Sequence, residues 1–139
     1  MNFFKTLFLS EEQKIIRDLV KHAASTNMLS DRDVDILNNS VDFLEISSDS
    51  DSEENDLPEI PLDPYKKFRM IYALEEQLIR EGTISERRVS IMTRLFSQLK
   101  IKRERLIELV EYLKINILNG NPADEAYERL GYLLKPSNY

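Results

Sequence analysis

Apolar residues recur every three or four positions through most of this chain, the spacing of one helical face, and nowhere do they alternate as in a strand. The first stripe is Ile15, Ile16, Leu19, Val20, Ala23 and Ala24, preceded by Ser10-Glu11-Glu12-Gln13. That tetrad has the form of a capping box, in which the serine hydroxyl takes a free first-turn amide and Gln13 reaches back to the cap. It predicts a helix ending near Thr26, with Asn27 as its stop because asparagine tolerates the left-handed conformation. Ser30, with Asp31 and Asp33 behind it, predicts a second helix whose face is Val34, Leu37, Val41 and Leu44. The pattern lapses after Ile46 and resumes at Pro64 with Phe68, Ile71, Tyr72, Leu74, Leu78 and Ile79, as far as Gly82. Ser85 is the expected cap of a helix carrying Val89, Met92, Phe96 and Leu99. Residues 102–118 form the clearest helix, with Leu106, Val110, Leu113 and Ile117 on one face and Gly120 at its end. Asn121-Pro122 then predicts a restart, asparagine capping and proline at the first helical position. Ala126, Tyr127, Leu130 and Leu134 complete the core, and Phe3, Phe4, Leu7 and Phe8 read as a short N-terminal helix packed on the body. The expected fold is all-α, a bundle of six or seven helices.

One unit of this pattern recurs. Shifted by fifty-five positions, Leu19–Ile46 lies over Leu74–Ile101, matching Leu19 with Leu74, Ser30 with Ser85, Arg32 with Arg87, Val34 with Val89 and Leu44 with Leu99. Leu29 over Ile84, Leu37 over Met92 and Val41 over Phe96 keep the apolar positions apolar. Such self-similarity predicts two pseudo-repeated helical-hairpin halves in a single domain, residues 1–46 and 64–139. Between them, 47–63 reads as a disordered linker: Ser47–Asp56 has no apolar residue, and Leu57–Pro64 holds three prolines.

Composition narrows the chemistry. A chain of 139 residues supports one full core. It has no cysteine, which excludes disulfides, thiolate metal sites and cysteine nucleophiles. No apolar run reaches the ~20 residues of a membrane span, and Met1–Leu9 lacks the small-residue cleavage site of a signal peptide. The expected location is cytoplasmic. His22, the one histidine, sits at the edge of an apolar stripe and has no visible zinc or nucleophile partner. No phosphate-cradling glycine loop is present, and Glu75-Glu76 reads as a solvated helix face. No catalytic residue and no cofactor are expected, and the chain is not read as an enzyme.

The turn Glu81-Gly82-Thr83-Ile84-Ser85-Glu86, following a helix with alanine and leucine, resembles the Ala-Asp-Gly-x-Ile-Ser-x-x-Glu turn of TerB-like domains of tellurite-resistance proteins. The opening Met-Asn-Phe-Phe-Lys is also similar to a family start. The resemblance covers residues 1–46 and 64–134 and implies an all-helical bundle of two pseudo-repeated halves, acting through protein contacts in stress or resistance complexes near the membrane. The family's turns carry an aspartate before glycine and are associated with divalent ions. Here Thr26 and Glu81 replace those aspartates, Asn27 replaces the first glycine, and Arg87-Arg88 follow the second serine. A hard cation wants six or more oxygens; Asp31, Asp33 and Asp35 do not converge from alternate helical positions. No metal site is expected.

Charge supplies the remaining candidates. Residues 1–62 carry five Lys/Arg against fourteen Asp/Glu, and residues 63–139 carry fourteen against eleven. The acids concentrate in the linker, where Asp49, Ser50, Asp51, Glu53 and Glu54 form a candidate partner-binding element. Ser48 and Ser50 have acids three residues on, as acid-directed kinases require, and Phe43-Leu44-Glu45-Ile46 before them resembles a SUMO-interacting type of motif. That strand would sacrifice Leu44, which the helical stripe needs. Arg87, Arg88, Lys100, Lys102, Arg103 and Arg105 form the opposite candidate, a basic region on which the acidic tract is expected to lie loosely. Net charge of −6 with a tethered polyanion argues against nucleic acid, so the expected partner is a protein. Tyr65, Phe68, Tyr72, Tyr112, Tyr127 and Tyr132 are candidate contact aromatics.

Overall fold

The computed structural model describes residues 10–44 and 63–135, and these contain six α-helices, two short 3-10 turns and no strand. The chain is all-α. It divides into two compact units, Met1–Ile60 and Pro61–Tyr139. The expected N-terminal helix and most of the 47–63 linker lie outside the described residues.

In the first unit, α1 (Glu11–Ser25) and α2 (Asp31–Ser40) pack as a hairpin. Both begin as the sequence predicts. Ser10 exchanges hydrogen bonds with Gln13, and Ser30 with Asp33, forming two complete capping boxes. Asp33 is buried in that role, which explains one acid of the Asp31, Asp33, Asp35 series without any ion. Between the helices Asn27 takes φ 62°. Met28 N donates to Ala23 O at 2.8 Å and Asn27 N to Ala24 O at 3.3 Å, the paired bonds of a Schellman stop. The second helix is shorter than its stripe. It ends at Ser40, and Val41 is extended at φ −125°, because Asn38-Asn39-Ser40 is weak helix-forming sequence. Val41 and Leu44 nevertheless stay buried, delivered by a turn rather than by the helix. Leu44, fully buried, is not free to form a binding strand.

In the second unit, α3 (Pro64–Arg80) packs against α4 (Ser85–Phe96), α5 (Arg103–Leu118) and α6 (Ala123–Leu130), and α5 packs against α4 and α6. Asp63 caps α3 with proline in its first turn. Phe68, Ile71, Tyr72, Leu74, Leu78, Met92, Phe96, Leu106, Val110 and Leu113 are buried as predicted; Ile91, Leu95 and Leu109 join them, whereas Ile79, Val89, Leu99 and Ile117 are only half-buried. Gly82, at φ 79°, stops α3 through Thr83 N to Leu78 O at 2.9 Å and Gly82 N to Ile79 O at 3.0 Å. These are the same two bonds, fifty-five positions on, as at Asn27. Gly120 repeats the geometry after α5, at φ 77°.

Two predicted caps are not made. Ser85 is the first residue of α4 rather than its cap; Ile84 holds the cap position without a side-chain bond. Asn121 does not cap α6 either, because its amide is turned back to donate to Asn116 Oδ1 at 3.1 Å, and Pro122 stands at the cap. Tyr127 on α6 stacks edge-on with Tyr65 at 5.0 Å and Phe68 at 5.2 Å, tying α6 to α3. Gly131 then opens the 3-10 turn Gly131–Leu134, packed so closely that an added Cβ would stand 2.6 Å from the Tyr127 ring.

Candidate functional site

Four basic residues that were candidates from sequence lie near one end of α5, and the fold brings two further lysines to them. The 3-10 turn Ser97–Leu99 ends at Lys100, which takes the left-handed φ of 61° that a non-glycine residue seldom adopts. This reversal lets the chain pass directly into α5, with Lys102 at the cap position and no side-chain cap bond. Lys67, one turn into α3, donates its Nζ to Leu99 O at 3.1 Å, so it satisfies a carbonyl at the end of that turn. Arg105, in the first turn of α5, donates Nη1 to Tyr132 O at 3.4 Å and so anchors the C-terminal 3-10 turn.

Together these segments enclose a cleft of ≈ 270 Å³ lined by Lys67, Lys100, Ile101, Lys102, Arg105, Leu133, Leu134 and Lys135. Its lining combines five cations with three aliphatic residues and contains no carboxylate. Lys100, Lys102 and Lys135 are exposed. The uncapped start of α5, the positive end of a 16-residue helix, adds to the same field. Such a lining suits a negatively charged segment that also presents an aliphatic side chain.

The sequence candidates separate on this geometry. Lys100, Lys102 and Arg105 line the cleft; Arg103 is exposed on the same turn without lining it; Arg87 stands near the opposite end of α4. Arg88 is not a surface residue at all. Its side chain is 4% exposed and lies 3.3 Å, Nε to Oε2, from Glu75, whose side chain is fully buried. Glu75 therefore is no solvated face, contrary to the sequence expectation, because the α3 position it occupies faces α4 and α5. Neither Glu75 oxygen has a hydrogen-bond partner, and burial raises its carboxyl to about 8 against the opposing pull of Arg88 and, more weakly, Lys114. Asp49, Ser50, Asp51, Glu53 and Glu54 lie outside the described residues.

Lys67 and Lys135 were missed. Lys67 follows Lys66 near the start of an amphipathic helix, and Lys135 follows the last apolar pair. Nothing local distinguishes either from a solvated lysine; only tertiary contact joins them across 68 positions. Of the candidate aromatics, Phe68 and Tyr72 are buried, Tyr65 and Tyr127 are half-buried, and Tyr112 and Tyr132 are exposed. Among the described residues no three His, Asp or Glu side chains group as metal ligands, and no helix is long and apolar enough to cross a membrane. Comparison with family models, with curated proteins and with solved structures finds no match.

Proposed function

We propose that this protein is a non-enzymatic helical interaction module whose second unit docks an acidic segment of a partner protein in the cationic cleft. The observation that carries this reading is the lining itself, five cations over an aliphatic floor with no acid among them. Opposite charge guides the encounter and fixes register, while Ile101, Leu133 and Leu134 offer the apolar contact that gives such complexes their lifetime. The TerB-like reading belongs to the same proposal. It is supported by the matching Schellman stops at Asn27 and Gly82, and it places the module in a cytoplasmic stress or resistance complex near the membrane.

The test is a fluorescence-polarisation titration with a labelled peptide bearing a Leu-Ile anchor followed by six Asp/Glu residues. Lys102→Glu with Lys135→Glu, both at exposed positions, is expected to weaken binding at least tenfold while leaving the circular dichroism and Tm unchanged. Equal affinity for this double variant and the parent would remove the cleft from consideration. A second chain, with residues 47–56 replaced by Gly/Ser, is expected to bind as the parent does at physiological salt. A protein captured from native lysate by the parent and not by this second chain would assign the function to the acidic tract instead.

A further inference from the structure

At the other end of α4 lies a polar cluster that the cleft does not use. Ser85 is exposed at the first position of this 12-residue helix, and its hydroxyl makes no cap bond. It instead accepts from Arg88 Nη2 at 3.4 Å and from Lys114 Nζ of α5 at 3.4 Å. Arg88 is nine-tenths buried, its Nε has no hydrogen-bond partner, and yet its guanidinium tip reaches the surface hydroxyl. Two cations from two helices thus converge on an exposed alcohol at the positive end of a helix. A neutral hydroxyl is a poor match for that much positive potential.

We propose that Ser85 is a phosphorylation site, its phosphate ester held by Arg88, Lys114 and the first-turn amides of α4. Ser85 Oγ attacks the terminal phosphorus of a nucleoside triphosphate carried by a protein kinase. The new O–P bond replaces the bond to the bridging oxygen, the nucleoside diphosphate leaves, and the hydroxyl proton passes to the kinase's base. The ester brings about −1.5 to −2 charges near neutral pH, against the two cations already in place. The amides of Ser85 and Glu86 precede the first backbone bond of the helix, Arg88 N to Ile84 O, and phosphate oxygens supply them with an acceptor. Arg88 faces Glu75 through Nε and Ser85 through Nη2, so it can hold the phosphate without leaving the buried carboxyl.

The experiment places phosphoserine at position 85 of the full chain by genetic-code expansion, and at position 97 as the contrast. Ser97 is exposed at the other end of α4, its Oγ on Arg94 O at 2.8 Å, where a phosphate meets the negative end of the helix. The ³¹P titration at position 85 is expected to have its midpoint roughly one unit below the ordinary value of ~6. Tm should rise by roughly 2–6 °C at position 85 and fall at position 97. Lys114→Ala in the phosphorylated chain should return about half of the midpoint shift. Identical midpoints near 6 at both positions would overturn the proposal. So would millimolar inorganic phosphate that shifts the Ser85–Arg87 amides while the esterified chain shows no such hold, since the site would then bind free anions only. For the protein from its own cells, the tryptic peptide from Glu81 to Arg87 is expected to carry phosphate; its absence under every growth condition also overturns the assignment.

Discussion

Glu75 is a carboxyl group placed where helices α3, α4 and α5 meet, and its cost depends on pH. Its folded value of about 8 lies above the ordinary 4.5, because burial penalises the carboxylate more than Arg88 and Lys114 favour it. The folded state therefore holds a proton that the unfolded chain releases between these values. Stability is fully present below about 4.5 and is lost as pH rises through about 8. Each unit of separation corresponds to about 1.4 kcal/mol, so the second unit is expected to weaken by a few kcal/mol across this window. All six tyrosines fall in residues 65–139, so tyrosine fluorescence follows the unfolding of this unit selectively. Glu75→Gln, neutral at every pH, should match the parent Tm near pH 5 and exceed it by several degrees at pH 8. Parallel Tm–pH curves for the two chains would refute the linkage. The position was legible in principle: 68, 71, 75 and 78 follow the helical period with Phe68, Ile71 and Leu78, and only the residue type pointed outward. Arg88 gave no such signal, since its partner lies on another helix.

Helix stops depend on a few backbone bonds that local sequence encodes well. Asn27, Gly82 and Gly120 all take positive φ where the apolar stripe ends, and the two aligned turns close with the same pair of bonds. Helix starts were less legible, because a capping side chain has a choice of partners. Ser30 bonds its own helix, whereas Ser85 is claimed by two cations and Asn121 by Asn116. The C-terminal 3-10 turn shows how an element can serve the site. Gly131 lets it approach the Tyr127 ring, and that ring is held between Tyr65 and Phe68. Gly131→Ala would set a Cβ at 2.6 Å from the ring. Overpacking of this kind costs about 1–3 kcal/mol. Since Leu133, Leu134 and Lys135 follow directly and line the cleft, this variant is expected to lower Tm by several degrees and weaken acidic-peptide binding several-fold. Unchanged peptide affinity in a chain of lowered Tm would show that the turn does not position the cleft.

Across the whole molecule, charge acts in two opposed ways on an approaching acidic peptide. The net charge is −6, so at long range the chain repels it; the cleft, with five cations, attracts it on contact. The Debye length decides which is felt. At ~0.01 M ionic strength it is ~30 Å and the whole chain is sampled, whereas at ~0.1 M it is ~10 Å and the local lining dominates. Salt added from the lower to the higher value therefore removes repulsion before attraction. Affinity is expected to be flat or to rise over that interval and to fall only above it, as the contact charges are screened in turn. Replacing residues 47–56 by Gly/Ser removes five acids and brings the net charge to −1. The repulsive part then nearly vanishes, and affinity should fall from the lowest salt onward. Stopped-flow measurements place the difference in the association rate, because long-range charge governs encounter more than residence. Two chains with the same salt profile would mean that net charge has no part in recognition and that contact at the cleft alone sets it.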